Sequence, residues 1–451
     1  SGAVPQGRRA EPLYSPHHEP PMNPLHRNDK HGQYPPSYYA ASADIPPERA
    51  SLDHDRRADV AIIGAGYTGL STALHAALKG LDVVVIDAHR AGFGASGRNG
   101  GQVGTGWNKD QQWLEAKLGK TKARALWELT IEAKALTRDL VAAHAPEAGY
   151  KPGVLHGEWT LAGAEESRNY GDWLNQNYGV ETEYLDRAAI QAVCHTKKYQ
   201  GGLLDWDAGH LHPLRYVLGL ARAAEAAGAT IFERTEATAL RDGEIITPKG
   251  TLRADHIVVA GNGYLPDLTP EISSRVMPIN SFIAATEPLG ERAAEVLTKD
   301  IAVADDKFVV NYFRLSEDKR LLFGGRESYG IGFPQDIDTQ QRARMESMFP
   351  QLKGVKIDYS WGGTLGITMT RLPMVRRIGK TTLAAGGFSG HGVAITTLVG
   401  KIMAEAIAGQ AGRFDLLSEL PVNTFPGGRH ARAPLLTLAM TWYALRDRLV
   451  L

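Results

Sequence analysis

The feature that most constrains the fold is a strand–turn–helix–strand pattern in ADVAIIGAGYTGLSTALHAALKGLDVVVIDAH, residues 58–89. A buried apolar strand runs into Gly64, Gly66 and Gly69, which have the spacing G-x-G-x-x-G and open a helical pattern. A second apolar strand follows and ends at Asp87. This order predicts a βαβ unit whose helix N-terminus faces a pyrophosphate and whose acidic residue accepts hydrogen bonds from ribose hydroxyls. The alternative is a βαβ unit that binds no nucleotide.

Strand and helix patterns of the same parallel type recur in the middle and at the end of the chain, around stretches that alternate like antiparallel strands. We therefore predict an α/β (α+β two-domain) fold, in which a Rossmann-type nucleotide-binding domain carries an inserted antiparallel β-sheet domain that binds the substrate. The predicted boundaries are residues 1–57 for an N-terminal arm, 58–150, 205–270 and 365–430 for the nucleotide-binding domain, 151–204 and 271–364 for the inserted domain, and 431–451 for a C-terminal helix. Residues 1–21 lack the apolar core of a signal peptide, and we expect an added or processed leader there.

The charge balance and the cysteine content exclude several classes of function. Lysine plus arginine number 50, as do aspartate plus glutamate, which argues against a nucleic-acid-binding protein. No apolar run is long enough to span a membrane. The single cysteine, Cys194, excludes an internal disulfide and a cysteine-rich metal site, and the scattered histidines predict no other metal site. One cysteine suits a reducing compartment, so we expect a cytoplasmic protein; no oligomeric state is indicated.

Two further glycine-rich turns extend the prediction to a particular cofactor. They are GFGASGRNGGQ at 92–102 and GGFSGHG at 386–392, and a shorter turn, AGNGY, lies at 260–264. A long, bent ligand that touches the backbone at several separate turns explains all of them, and FAD is such a ligand. The residues expected to contact FAD are Gly64, Gly66, Tyr67, Thr68, Gly69, Asp87, Ala88, Ala95, Ser96, Gly97, Arg98, Asn99, Gly100, Gly101, Gln102, Gly261, Asn262, Gly387, Phe388, Ser389, Gly390, His391, Gly392 and Val393.

The turn at 386–392 precedes a helix that is predicted to begin near Val393. A helix N-terminus carries roughly half a positive charge, which favours the anion that develops at flavin N1 and C2=O on reduction. His391 is our candidate for additional positive charge at this point. The alternative is a turn histidine that is only bonded to backbone.

Several longer motifs carry a resemblance to a known family. They are SYYAASA at 37–43, GFGASGRNGGQ at 92–102, GHLHPL at 209–214, RLLFGG at 320–325, FPQLKGVKIDYSW at 349–361, GFSGHGV at 387–393, and FPGGR and LRDRL near the end. With these motifs the chain resembles the FAD-dependent amine and amino-acid oxidases related to glycine oxidase and sarcosine oxidase, and among them the γ-glutamylputrescine oxidases. The likeness runs from about residue 37 to the C-terminus.

The resemblance implies a particular reaction. A primary amine on a γ-glutamylated polyamine would be oxidised by hydride transfer to flavin N5, and the imine would hydrolyse to an aldehyde and ammonia. Molecular oxygen would be reduced to hydrogen peroxide. Part of the superfamily attaches its flavin to a cysteine, but Cys194 lies far from the glycine turns in the sequence. We therefore expect noncovalent FAD.

Arg314, in VVNYFRL, is the candidate substrate-binding residue that the resemblance implies, because related amino-acid oxidases carry a carboxylate-binding arginine on a strand of the substrate domain. A guanidinium can hold a carboxylate with two parallel hydrogen bonds. The alternative is a surface arginine paired with Glu317 or Asp318. Relatives acting on small amino acids read W-x-G-x-R-P where this chain has WGGTLG, so Leu365 takes the place of an arginine and a small α-amino acid is disfavoured as substrate.

Two aromatic residues complete the set of candidate catalytic residues, His391, Arg314, Trp361 and Tyr312. Trp361 and Tyr312 would line the passage to the flavin, and the alternative is ordinary core packing. We find no compelling general base: His212, just before Pro213 at a predicted helix start, fits a structural role better than a catalytic one.

Two rival functions stay open from the sequence alone. One is a dehydrogenase that passes electrons from the amine to a quinone or a carrier protein rather than to oxygen. The other is a flavin-binding protein that turns over no substrate. The set of cofactor turns together with Arg314 favours an enzyme.

Overall fold

A computed structural model gives the architecture of the protein and describes residues 23–265, 268–307, 309–328 and 332–428. The predicted C-terminal helix over 431–451 and the predicted leader over 1–21 lie outside the described residues. None of the described helices is long and apolar enough to cross a membrane.

The chain alternates between helices and strands along its whole described length. The strands are β1 (Arg56–Ile63), β2 (Val83–Ile86), β3 (Gln102–Val103), β4 (Lys151–Glu158), β5 (Glu183–Asp186), β6 (Gly201–His210), β7 (Thr230–Phe232), β8 (Ala239–Arg241), β9 (Glu244–Ile246), β10 (Thr251–Val259), β11 (Met277–Thr286), β12 (Ala302–Asp305), β13 (Tyr312–Leu315), β14 (Leu321–Ser328), β15 (Ile357–Ile367), β16 (Met374–Arg377) and β17 (Thr382–Gly386). The α-helices are α1 (Pro24–Arg27), α2 (Tyr38–Ser42), α3 (Tyr67–Ala77), α4 (Gln111–Leu118), α5 (Lys120–His144), α6 (Leu161–Tyr178), α7 (Arg187–Val193), α8 (Pro213–Ala226), α9 (Pro270–Ser273), α10 (Ile337–Met348), α11 (Val393–Ile407) and α12 (Gly412–Ser418). Short 3₁₀ helices lie at Ala95–Gly97, Pro146–Ala148, Asn262–Tyr264, Gly290–Glu295 and Pro350–Leu352.

The first sheet is parallel at its centre, as the βαβ pattern predicts. Its main strand order is β16-β17-β10-β1-β2-β7, and β1 pairs in parallel with both β2 and β10. The parallel pairs continue outward to β17 and β7, whereas β16 is antiparallel at one edge. Helices α3 and α11 pack against each other, and α8 and α5 pack on them in turn. The strands are rich in valine and isoleucine because the sheet is buried in this core.

The second sheet has nine strands in the described residues, in the main order β15-β11-β14-β13-β12-β4-β6-β3, with β5 paired to β6. Its pairs are antiparallel except β12 with β4. Helix α10 packs on β11, β14 and β15, and a separate apolar cluster fills the space beneath these strands. The mixed α/β fold with an inserted, mainly antiparallel sheet is therefore confirmed.

The ends of the strands differ from the predicted domain boundaries. The boundary at 204/205 falls inside β6, and the boundary at 364/365 falls inside β15. Both strands are continuous ladders of the second sheet, so neither can be divided between domains.

The described part of the N-terminal arm packs on the body of the protein. Tyr39 of α2 is fully buried, and Ser42 lies 3.0 Å from His212 Nε2. The Nδ1 atom of His212 accepts a hydrogen bond from the amide of Arg215 and so caps α8, as the structural interpretation of this histidine predicts. Further along the arm, Arg49 pairs with the buried carboxylate of Glu233.

The contact of α3 with α11 yields a first prediction, at Gly400. A Cβ atom on Gly400 would lie 2.5 Å from the carbonyl oxygen of Thr68 and 2.9 Å from the amide nitrogen of Thr72. Alanine would gain about 1 kcal/mol of helix propensity, but a backbone clash of this kind costs about 1–3 kcal/mol and moves two packed helices. We expect Gly400→Ala to lower the melting temperature of the FAD-loaded protein in a thermal scan.

Gly412 provides the matched control. It is exposed at the start of α12, and a Cβ there would meet no atom within 4 Å. Gly412→Ala should change the free energy of unfolding by less than about 0.5 kcal/mol. Equal melting temperatures for the two variants would contradict the close contact of α3 with α11.

Candidate active site

An elongated cavity of about 730 Å³ lies between the parallel sheet and the antiparallel sheet. The loops after β1, β2, β7, β10 and β17 border it, so it collects the carboxyl ends of the parallel strands. Open parallel sheets bind their ligands at this edge. The volume is in the range of cofactor and substrate sites.

Most of the residues that were predicted to contact the cofactor border this cavity. They are Gly64, Gly66, Tyr67, Thr68, Asp87, Ala88, Ala95, Ser96, Arg98, Asn99, Gly100, Gln102, Gly261, Asn262, Phe388, Ser389, Gly390, His391, Gly392 and Val393. The structure therefore brings four separate turns to one site.

Four predicted contact residues, Gly69, Gly97, Gly101 and Gly387, do not border the cavity. At Gly69, Gly97 and Gly101, an added Cβ would lie 1.9 to 2.1 Å from a backbone carbonyl oxygen, that of Gly64, Gly92 and Leu211 respectively. These glycines shape the loops by allowing close backbone contacts. The prediction that they touch the cofactor themselves finds no support in their positions.

At the dinucleotide end of the cavity, Asp87 borders the cavity and also accepts hydrogen bonds from neighbouring backbone amides. Its Oδ2 accepts from the amide of Ala65 at 2.8 Å, and its Oδ1 accepts from the amide of His89 at 2.8 Å. Burial raises the pKa of Asp87 to about 6. Gly64, at φ +105°, makes the turn between β1 and α3 that places the N-terminus of α3 beside this carboxyl group.

A third loop at this end of the cavity was not predicted from the sequence. Thr235, Glu236 and Ala237 follow β7 and border the cavity, and Glu236 pairs with His26 of the arm at 3.1 Å. Leu25 of the arm borders the cavity too. The position of the loop in the sequence could have located it. The loop directly follows a strand of the parallel sheet and therefore lies at the same edge as Gly64 and Asp87.

The turn before α11 places His391 at the cavity in its neutral form. Burial lowers the pKa of His391 to about 4, so the imidazole carries no charge near pH 7. Its Nε2 lies 3.0 Å from the carbonyl oxygen of Gly106, which can only accept, so Nε2 carries the hydrogen. A Cβ on Gly104 would lie 2.7 Å from the ring. The additional positive charge expected from His391 is therefore absent, and the histidine is bonded to backbone, as in the alternative interpretation.

At the turn before α11, the positive potential comes from the N-terminus of the helix. The helix begins at Val393 as predicted and runs to Ile407, and no described side chain caps its N-terminus at Gly392. Its first amide groups lack partners within the helix, which makes the terminus favourable for negative charge. Ser389 at φ +54° and Gly390 at φ +84° turn the chain sharply just before it.

Arg98 joins the glycine turn at 92–102 to the arm and to the second sheet. Its Nε donates to the carbonyl oxygen of Phe93 at 2.6 Å, and its Nη1 donates to Asp29 at 2.8 Å and to the carbonyl oxygen of Gly362 at 3.1 Å. Its buried Nη2 has no hydrogen-bond partner among the described residues. A buried donor that borders a cavity is satisfied when a ligand supplies an acceptor.

The site fits FAD on two observations of this structure. The cavity borders four separate turns, and the buried Nη2 donor of Arg98 has no acceptor among the described residues. The loops after β1 and β2 would hold the dinucleotide end. The turns at 92–102 and 386–392 would hold the flavin end.

Arg314 is not where a substrate-binding arginine would be. It is 6% exposed and does not border the cavity. Its guanidinium donates to the carbonyl oxygens of Gly100 at 2.9 Å and Leu211 at 3.0 Å, and also to that of Leu315 at 3.3 Å and to the Tyr39 hydroxyl at 3.3 Å. Neither earlier interpretation matches this arrangement, since Arg314 neither faces a substrate nor pairs with Glu317 or Asp318 at the surface. It binds backbone.

Of the two aromatic candidates, one borders the cavity and one does not. The Tyr312 ring borders it and passes over Gly100 and Gly324, where an added Cβ would lie 2.8 and 2.1 Å from the ring. Its hydroxyl lies 3.2 Å from that of Ser281. Trp361 is 2% exposed, donates to the carbonyl oxygen of Arg98 at 3.0 Å and packs on Tyr39, so it is a core residue.

Comparison with known proteins identifies the family. The family model described as FAD dependent oxidoreductase matches residues 59–406, which is most of the chain. The chain belongs to this family. It is an enzyme of the FAD-dependent amine and amino-acid oxidoreductase type, and its cofactor is FAD.

The relatives cover nearly the whole chain. The probable oxidoreductase OrdL of Rhizobium meliloti (strain 1021) is 41% identical over 417 residues, 91% of this chain and 97% of that protein. The gamma-glutamylputrescine oxidoreductase of Escherichia coli (strain K12) is 39% identical over 422 residues, 92% of this chain and 98% of that protein. Among solved structures, glycine oxidase from Geobacillus kaustophilus has the same fold, with a TM-score of 0.66 at 20% identity over 80% of this chain and 97% of that one.

Two further observations concern covalent attachment of the flavin and metal binding. Cys194 is buried in the apolar cluster of the second sheet and does not border the cavity, which leaves noncovalent FAD as our prediction. Within the described ranges, no three His, Cys, Asp or Glu side chains are grouped so that they could hold a metal ion.

The neutral state of His391 leads to a second prediction. We expect His391→Gln to retain FAD, because the glutamine amide can donate to the Gly106 carbonyl in place of the imidazole. The pH profile of kcat/KM between about pH 5.5 and 9 should keep its shape, since His391 does not titrate there. His195→Gln, at an exposed position, is the control. A limb near pH 6 that is lost only in His391→Gln would contradict the neutral assignment.

The position of Arg314 leads to a third prediction. Arg314→Met should lower the melting temperature and release FAD more easily, because each buried carbonyl left without a donor costs about 1–3 kcal/mol. Any loss of kcat/KM should be similar for amines with and without a carboxylate. A normal melting temperature, with KM raised only for carboxylate-bearing amines, would restore Arg314 as a substrate-binding residue.

Proposed function

We propose that this enzyme oxidises the terminal primary amine of a γ-glutamylated diamine, γ-glutamylputrescine or a close analogue. With water and O2 the reaction would give an aldehyde, ammonia and hydrogen peroxide. The similarity to the Escherichia coli gamma-glutamylputrescine oxidoreductase, 39% identical over almost its whole length, supports the substrate class. The proposal includes a cytoplasmic location, with which the single cysteine is compatible.

The observation that carries the proposal is the cavity wall next to Arg98. Leu365 and Gly363 border the cavity there. A small α-amino acid places its carboxylate within one carbon of the reacting amine and so needs a cationic partner at that distance. Leucine and glycine side chains supply none, and the Nη2 donor of the neighbouring Arg98 is the one assigned above to the cofactor. Leu365 and Gly363 suit the methylene chain of a substrate whose other charged groups lie farther from the reacting amine.

When bound, FAD supplies the two-electron acceptor for oxidation of the C–N bond. The chain's own residues position the amine and keep water from it, with Leu365 and Phe388 as apolar surface and the rings of Tyr312 and His391 as walls. Burial lowers the pKa of His391 and raises that of Tyr312 above its usual range. Neither group would take a proton from an ammonium near pH 7, so the proposal requires the neutral amine to be bound.

The test is an anaerobic titration of the purified, FAD-loaded protein with γ-glutamylputrescine. We expect the flavin absorbance to bleach, and air to restore it with one peroxide released per amine oxidised. Bleaching that air does not reverse, but a quinone does, would support the dehydrogenase instead of the oxidase. Bleaching by glycine or D-amino acids but not by this amine would contradict the proposed substrate. If none of these compounds bleaches the flavin, the result would support a flavin-binding protein without turnover.

A further inference from the structure

One row of paired residues forms the roof of the cavity on the second sheet. Gly363 on β15 is paired with Ser281 on β11, and Ser281 is paired with Glu327 on β14. Directly paired residues lie on the same face of a sheet, and all three border the cavity. The row begins above Arg98, because a Cβ on Gly363 would lie 3.2 Å from Arg98 Cβ.

The polarity of the roof changes along this row. At the Arg98 end the wall is made by Gly363 and Leu365. One strand farther, the hydroxyls of Ser281 and Tyr312 lie 3.2 Å apart. One strand farther again, Glu327 brings a carboxylate to the half-buried end of the row. A ligand lying along the row would contact apolar groups first, then hydrogen-bonding groups, and finally a negative charge.

The other carboxylates that border the cavity lie outside this row. Asp87 and Glu236 stand at the dinucleotide end, on loops of the parallel sheet. Asp305 lies on β12, which contributes no residue to the row. Glu327 is the carboxylate that lies on the same sheet face as the apolar wall.

The distance along the row matches the length of a γ-glutamylated diamine. Neighbouring strands are about 4.8 Å apart, so Glu327 lies roughly 10 Å from Gly363 across two strand spacings. In γ-glutamylputrescine ten bonds separate the terminal amine from the α-ammonium of the glutamyl group. Ten chain bonds equal about three residues of extended backbone and span roughly 11 Å.

Glu327 is unsuited to hold the reacting amine itself. A carboxylate beside that amine would stabilise its ammonium form, whereas the neutral amine is the form that is oxidised. The flavin end of the site is formed by the turns at 92–102 and 386–392, near Arg98 rather than near Glu327. A distal cation, which stays charged throughout the reaction, is the group that a carboxylate at this distance would bind.

We propose that Glu327 is a specificity-determining residue that binds the α-ammonium group of the glutamyl moiety, and so selects amines with a second positive charge about ten bonds from the reacting amine. This inference rests on the proposed function.

The experiment compares Glu327→Gln with the unaltered enzyme on two substrates that differ in one group. These are γ-glutamylputrescine and its deamino analogue, in which a glutaryl group replaces the glutamyl group and only the α-ammonium is lost. Losing the charged hydrogen bond should lower kcat/KM for γ-glutamylputrescine about tenfold. It should change kcat/KM for the deamino analogue by less than about twofold, and the unaltered enzyme should prefer γ-glutamylputrescine by a similar factor.

Binding without turnover provides a second readout. γ-Glutamylbutylamide is γ-glutamylputrescine without its terminal amine. It keeps the α-ammonium and lacks the oxidisable amine, so its Kd can be measured by calorimetry on the FAD-loaded protein. We expect the Kd to rise about tenfold in Glu327→Gln. Glu291→Gln, which removes the same charge at an exposed position in the 290–295 turn, is the matched control and should leave both readouts unchanged.

The outcomes separate this inference from the proposed function. If the unaltered enzyme oxidises neither amine, the proposed function fails and this inference with it. If it oxidises both equally well, or if Glu327→Gln lowers both by the same factor while its FAD content is normal, the proposed function stands and the role of Glu327 is overturned. A loss confined to γ-glutamylputrescine, with a weaker Kd for the butyl analogue, supports it.

Discussion

The Arg314 guanidinium holds together the parts of the chain from which the site is built. Its donors reach the glycine turn of the nucleotide-binding domain at Gly100, the connection between β6 and α8 at Leu211, its own strand, and the Tyr39 hydroxyl of the arm. Backbone carbonyls in a buried place need such donors, because each one left without a partner is costly. The cavity depends on this arginine although the arginine does not border it, since Gly100 and its neighbours form one of its walls.

The parts of the fold that could be predicted from the sequence are those that local backbone geometry determines. The turn at Gly64 requires a positive φ, and the apolar strands on either side of α3 allow little except a parallel pair. The same reasoning placed the start of α11 near Val393, where the helix begins. These features depend on a few neighbouring residues, so a single sequence contains the information for them.

What could not be predicted depends on how distant segments meet. On β13, Tyr312 and Arg314 have the same parity and therefore the same sheet face, but Tyr312 borders the cavity while Arg314 lies beneath Gly100 and Leu211. Alternation predicts a face and not which segment covers each point of it. The pairing of Ser281 with Glu327 was equally hidden, because the register of β11 with β14 shifts at an irregularity next to Ser281.

The contacts of the arm with the body have a consequence for how the protein is made. Asn28 accepts from the amide of Phe333, and Asp29 binds the Arg98 guanidinium that also binds the Gly362 carbonyl. Phe333 follows Asn28 by 305 positions, so this contact cannot form until most of the body has been synthesised. Contacts between such distant positions form late, since closing a long loop costs entropy before any contact repays it. During synthesis the contact of Asn28 with Phe333 is thus among the last that the arm can make, whereas its contacts with His89 and Arg98 join much nearer positions.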